Sequence, residues 1–260
     1  MIGTTFGNSA SSGGGFLPSD ITGLKLWLDA DAAYINSGSP SDADPVSTWT
    51  NKGTGTLNGT QSTAIAQPIW KSSGFGTNSK PYLDFDGTNS FLTLGTEYSK
   101  LPNHTVFIVV STDVVGRGFP IAEYNSGGQA LSTGLTYELF TANEFRGVIG
   151  NTTAATFMSS VSVQVFAINT PLIFSGQFTD GASSHVMKAN GVNLTLNNSG
   201  TATNILDPAS KSPMSIGRAG DFDGLYFNGK IAEIVVFDSV LSTDDIASME
   251  TYLNDKYAAY

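Results

Sequence analysis

Carboxylates, histidines and aromatic residues set beside amides are the places where this 260-residue sequence could carry chemistry. Cleaving a glycosidic bond needs two carboxyl groups flanking it. In YELFTANEF, Glu138 and Glu144 share a side only if one strand runs unbroken through Asn143, and a loop there is the simpler expectation. Glu233 stands alone among apolar residues, the setting of a structural hydrogen-bond acceptor, and Asp238 ends the same run, where a turn or cap accounts for it. His104 and His185 lie near no serine-nucleophile or metal-ligand pattern. No catalytic residue is assigned, and no enzyme is expected.

Sugar recognition is better supplied. It wants an aromatic face to stack on a ring and amides or carboxylates to bond its hydroxyls. The stretch from Ala219 to Asn228 offers Asp221, Asp223, Tyr226 and Asn228, and Trp49 beside Asn51 is a second candidate. The competing reading places either aromatic set in the core. Asp221 and Asp223 with Asn228, or Asp84 and Asp86 with Asn89, could also give a Ca2+ ion the clustered oxygens it takes. Asp-Gly and Asn-Gly are turn formers too, so no metal or other cofactor is assigned.

These residues need strands to hold them. Leu24–Asp29 alternates with a period of two, Thr105–Ser111 is a continuous apolar run that belongs deep in a sheet, and Pro68-Ile69-Trp70 suits a sheet edge. Two strands are expected around Asp86–Asn89 as a tight hairpin, and further hairpins at Asn190-Gly191 and at Asn228-Gly229. In Lys230–Phe237 both faces look buried, with Ile231, Val235 and Phe237 on one side and Ala232, Ile234 and Val236 on the other. Ser242 then caps a helix with Asp244 and Asp245 in its first turn, and Ile246, Met249, Leu253 and Tyr257 recur at helical spacing.

Composition narrows the classes. Abundant Gly (29 residues) with only 13% charged residues describes many short strands joined by polar turns. A net charge of −10 and no basic stripe argue against nucleic acid. There is no cysteine, no basic and apolar secretory leader, and no apolar run near the roughly 18 residues that span a bilayer. Residues 1–17 read as a Gly/Ser-rich arm and residues 18–260 as one sandwich domain.

Taken in order, LKLWLDA, LDFDGTNSFLTL, TVFIVV, ANGV and SIGRAGDFDGLYFNGKIAEIVVFDSVLSTDDI resemble the concanavalin A-like lectin/glucanase superfamily, in particular the laminin-G-like jelly-roll domains of bacterial surface and bacteriophage structural proteins. The resemblance implies an all-β, antiparallel two-sheet jelly-roll sandwich with a short C-terminal helix, and a ligand on its concave face or rim loops. Joined to the missing leader and cysteine, it leads to the expectation of a non-enzymatic virion protein of a tailed bacteriophage, a capsid decoration or fibre. Such a protein would be made in the host cytoplasm, attached to other virion proteins through its arm, self-associated, and able to bind cell-surface glycans. The alternative is a bacterial carbohydrate-binding surface module or phage tail adhesin; a glycan hydrolase ranks below both.

Overall fold

The computed structural model describes residues 15–96, 101–123, 135–150, 157–200, 213–220 and 224–260. Among them the strands, in chain order, are β1 (Leu24–Asp29), β2 (Thr48–Trp49), β3 (Gly59–Thr60), β4 (Ile69–Phe75), β5 (Lys80–Asp86), β6 (Leu92–Gly95), β7 (His104–Thr112), β8 (Gly118–Glu123), β9 (Thr136–Leu139), β10 (Glu144–Gly150), β11 (Phe157–Val165), β12 (Leu172–Phe178), β13 (Val186–Ala189), β14 (Val192–Asn193), β15 (Leu196–Ser199), β16 (Met214–Ile216) and β17 (Asn228–Phe237). Helix α1 (Thr243–Tyr257) follows. The described strands make two antiparallel sheets: one of eight strands in the order β14-β13-β12-β7-β17-β5-β4 with β1 also on β17, and one of nine in the order β15-β11-β10-β9-β8-β16-β6-β3-β2. This is the sandwich expected from the sequence.

Alternation along β7 explains the layering. Val106, Ile108 and Val110 face the second sheet, where they meet Ile121, Tyr137 and Phe145 in the main core. Phe107 and Val109 face outward, under Ile246, Met249, Leu253 and Tyr257 of α1. Each such aliphatic side chain withdrawn from water contributes about 2 kcal/mol, so the helix functions as a third layer on the eight-stranded sheet. Its start is built as expected: the Asp245 amide donates to Ser242 Oγ at 3.1 Å, and Asp244 and Asp245 occupy the first turn.

Three local expectations are corrected. Asn228-Gly229 is not a hairpin turn: both residues open the ten-residue β17, and Gly229 pairs with Phe85 on one side and Thr112 on the other. The flat pairing is permitted by Gly229 at φ 151°, where an added Cβ would strike Ser111 and Phe227. The alternation read from Lys230 to Phe237 breaks at a register shift against β7 between Ile231 and Glu233. Ile231 therefore joins Ile234 and Val236 in the main core, while Ala232 joins Val235 and Phe237 under the helix. At this bulge β17 also changes neighbour, from β5 to β1. Finally, Asp86–Asn89 does not close a hairpin, because β5 belongs to the eight-stranded sheet and β6 to the nine-stranded one. The turn carries the chain between layers.

Asn190-Gly191 is a two-residue hairpin turn as expected, with φ of 50° and 74°. β4 is an edge strand, and β7 is buried throughout. Most of the expected arm lies outside the described residues; Phe16, within it, packs edge-on to Tyr252 at 6.4 Å.

Candidate functional site

Glu138 and Glu233, two of the carboxylates considered for catalysis, are held in buried networks. Glu138 is fully buried on β9 and held by Arg117 Nε at 2.6 Å and Arg146 Nη1 at 2.9 Å. Glu144 begins the next strand after a turn in which Asn143 has φ 60°, so the loop reading of that stretch holds. Glu233 is fully buried and accepts from Trp27 Nε1 (2.7 Å), Lys256 Nζ (2.7 Å), and the hydroxyls of Tyr257 (2.7 Å) and Tyr252 (3.1 Å). Burial, with Asp29 beside it, pushes Glu233 above the usual carboxylate range against the pull of Lys256. Burial alone would lower Lys256, but Glu233 and Asp29 outweigh it and hold the ammonium charged. This network fastens the helix to the sheet, the structural role expected of Glu233.

Both histidines are core residues. His104 Nε2 lies 3.0 Å from the Tyr137 hydroxyl and His185 Nδ1 lies 3.2 Å from Ser160 Oγ. Burial lowers their pKa values to about 4 and about 3 respectively, so both are neutral near pH 7.

Of the residues chosen for sugar binding, Trp49 is corrected. It has no exposed surface, and its indole donates to the Asp29 carbonyl at 2.8 Å, so no ring face is open to a ligand. Asn51 beside it is spent on backbone, accepting from the Trp27 amide at 2.8 Å. Asp221 and Asp223 lie outside the described residues. Asn228 is half-buried in β17, opposite Asp86 and packed over Gly87. In the other cation-ligand set, Asp86 Oδ1 is occupied by the amides of Thr88, Asn89 and Ser90 and by Ser90 Oγ, which realises the turn reading. No group of three or more His, Cys, Asp or Glu suited to a metal occurs among the described residues.

Tyr226 does stand at a built feature. It bridges Arg218, and its ring lies 6.4 Å from that of Phe91 at 45°. The Arg218 guanidinium covers the Phe91 ring at 3.6 Å, while its Nε donates to the Gly220 carbonyl at 2.8 Å. The loop is pinned by the Phe227 amide on the Gly217 carbonyl and the Ala219 amide on the Leu225 carbonyl. Gly217 is needed here, since at φ +81° a Cβ would collide with the Phe85 ring.

Phe91 also lines a groove of about 450 Å³ with Ser47, Thr48, Thr60, Gln61, Ser62 and Thr93. Its floor follows from sheet register: Thr48 pairs with Thr60, and Thr60 with Thr93, across β2, β3 and β6. Their neighbours Trp49, Leu92 and Leu94 point into the core, so the three threonines project together from the opposite face. Adjacent strands lie about 4.8 Å apart, giving a row of hydroxyls on the scale of a sugar ring. The sequence reading missed this groove. Its residues are scattered over 47 positions (from 47 to 93), and only strand pairing gathers them.

No family model matches the chain, and a search of curated proteins returns no match. Solved structures do resemble it. Trypanosoma rangeli sialidase in complex with 2,3-difluoro-KDN aligns over 90% of this chain at 12% identity and a TM-score of 0.56. The same organism's sialidase without a named ligand aligns over 90% at 13% identity and 0.52. The chain shares its sandwich fold with part of a sialidase. It spans about a third of the sialidase chain, 33% in both comparisons. A carbohydrate-binding module, the CBM40 of Ruminococcus gnavus IT-sialidase bound to α2,3 sialyllactose, aligns over 60% of this chain and 92% of its own at 14% identity, with a TM-score of 0.46. None of these three structures is a virion component.

Proposed function

We propose that the chain is a non-catalytic carbohydrate-binding module of the concanavalin A-like type, taking a glycan along the groove between Thr48, Thr60 and Thr93 with Phe91 and Tyr226 at its end. The observation that carries this reading is the in-register row of three threonines beside the half-buried ring of Phe91. Hydroxyl and amide groups set against a ring are the chemistry of sugar recognition. The fold neighbours support it, since the T. rangeli sialidase is named in complex with sugar acids. Engagement of Glu138 by two arginines and of Glu233 by four donors supports a binding role over hydrolysis. Display on a tailed-phage particle, through residues 1–17 and alongside other copies, is a setting supported by composition alone; mass spectrometry of purified particles tests it, and absence of the chain from particles overturns it.

The binding reading is tested by presenting the full-length chain to a glycan array and measuring hits by calorimetry. Saturable binding that weakens in Thr60→Val and Thr93→Val supports it. An array without hits overturns it.

A further inference from the structure

On the face that carries α1, away from the threonine groove, Gln177 presents an acceptor that the fold does not use. The side chain is buried and held: Nε2 donates to Thr105 Oγ1 at 3.1 Å and to the Leu241 carbonyl at 3.1 Å. A carbonyl only accepts, so the amide nitrogen must be the end that meets Leu241, and both of its hydrogens are spent there. Oε1 is thereby turned the other way, and it accepts no hydrogen bond among the described residues. The elements around it are all described: Gln177 pairs with Thr105 of β7 and Val186 of β13, and Leu241 belongs to the turn between β17 and α1. Nor is this oxygen sealed in the core. An acceptor so placed must take its donor from outside the fold.

Gln177 opens onto a recess of about 370 Å³ between β12, β13, β14 and the start of α1, near the small end of ligand cavities. Sheet register builds the floor: Ser175 pairs with Lys188 and Lys188 with Asn193, a polar row beside the Gln177–Val186 pair. Lys188 Nζ lies 2.7 Å from Glu250 Oε2, which spends one of its three N–H donors and cancels its charge within the site. Val186, exposed at the mouth, and Ile246 add apolar surface.

We propose that this recess is a second sugar site, separate from the groove and sized for one ring: a neutral pyranose whose hydroxyls donate to Gln177 Oε1 and accept from Lys188 Nζ and the Asn193 amide, with its C–H face on Val186. Neutrality follows from the Lys188–Glu250 pair, which leaves no net charge for an ionic ligand to meet. Hydroxyls fit because they donate and accept at once, as an unused acceptor beside unused donors requires.

A site for one ring is weak, on the order of millimolar, so a washed array reads the groove and not this recess. NMR titration of the isotope-labelled full-length chain with methyl α-glucoside, methyl α-galactoside and methyl α-mannoside reads it directly. At least one of the three is expected to shift the Gln177 and Asn193 side-chain amides saturably. Val186→Trp, which fills the recess from an exposed position, should abolish the Gln177 shift, and Asn193→Ala should weaken binding about fivefold by removing one hydrogen bond. Both positions are exposed, so both melting temperatures should stay within a few degrees of the parent. Thr60→Val should leave the shifts unchanged. No saturable shift of the Gln177 amide, or a shift that persists in Val186→Trp or disappears in Thr60→Val, overturns the second site and leaves the groove reading standing. A saturable shift beside a blank array supports the recess and overturns the groove alone.

Discussion

Lys256 Nζ lies 2.7 Å from Glu233 Oε2 and 2.8 Å from Asp29 Oδ1, so a single ammonium on the last turn of α1 neutralises carboxylates from two paired strands. Removing one partner of a buried pair strands the other charge, at about 3–5 kcal/mol. Lys256→Met should therefore destabilise the chain by about that much in urea unfolding at pH 8. Burial already lifts Glu233, and without Lys256 it lifts it further. An acid whose folded pKa exceeds its unfolded value stabilises the fold as pH falls, so the defect should shrink toward pH 5. Glu233→Gln with Lys256→Met should recover most of the loss. A defect of equal size at both pH values would show that the helix is held by packing alone.

The layers were legible because they repeat a simple period. The buried run of β7, the Ser242 cap and the Ile246–Tyr257 stripe all rest on interactions within one element and its immediate partners. Asn228-Gly229 was misread as a turn because an Asn-Gly pair looks the same locally in a turn and where a strand passes close to its neighbours; packing of Gly229 against Phe85, Ser111 and Thr112 decides between them, and no local pattern reports it. The groove was illegible for a related reason. Thr48, Thr60 and Thr93 become neighbours only through pairing of short edge strands, whereas Trp49, conspicuous in sequence, is large and apolar enough to be drawn inside. Tyr226, picked out as an aromatic beside turn residues, lies next to Arg218 and Phe91.

Trp49 and Phe91 should separate cleanly under substitution. Trp49→Ala empties a fully buried site and breaks the bond to the Asp29 carbonyl, a loss of about 3–5 kcal/mol, so its effect on glycan affinity should track unfolding. Phe91→Ala leaves the core intact but removes both the groove wall and the platform under Arg218. Its melting temperature should stay within a few degrees of the parent while affinity for any array hit falls at least tenfold. Comparable affinity in a folded Phe91→Ala variant would move the site off this rim.

Ser242→Ala offers a smaller, well-defined test of the helix. The lost cap bond to the Asp245 amide is worth about 1 kcal/mol. Because α1 covers the face opposite the groove layer, the substitution should lower stability by that amount in urea titration without changing glycan affinity. A change in affinity would reveal coupling between the helix and the rim.

Acid should weaken the core through its histidines. His104 and His185 have folded pKa values of about 4 and about 3 against 6.5 in the open chain, chiefly from burial. For a base whose folded pKa is depressed, the unfolded chain binds more protons between the two values. The stabilisation is thus complete above about pH 6.5 and is lost as pH falls toward 4 for His104 and 3 for His185. At about 1.4 kcal/mol per pH unit, each histidine costs about 2.5 kcal/mol between pH 7 and pH 4.5. This window lies above the 3.8 reference of the aspartates whose folded pKa is lowered, Asp29, Asp42 and Asp86, so their protonation adds little to it, while Asp84 and Glu233, whose folded pKa is raised, act in the opposite sense. Urea unfolding at the two pH values reads the slope directly. His104→Gln, which keeps a hydrogen-bonding group near Tyr137 but cannot titrate, should be less stable at pH 7 and should lose about half of the pH dependence. An unchanged slope in that variant would assign the acid sensitivity to carboxylates instead.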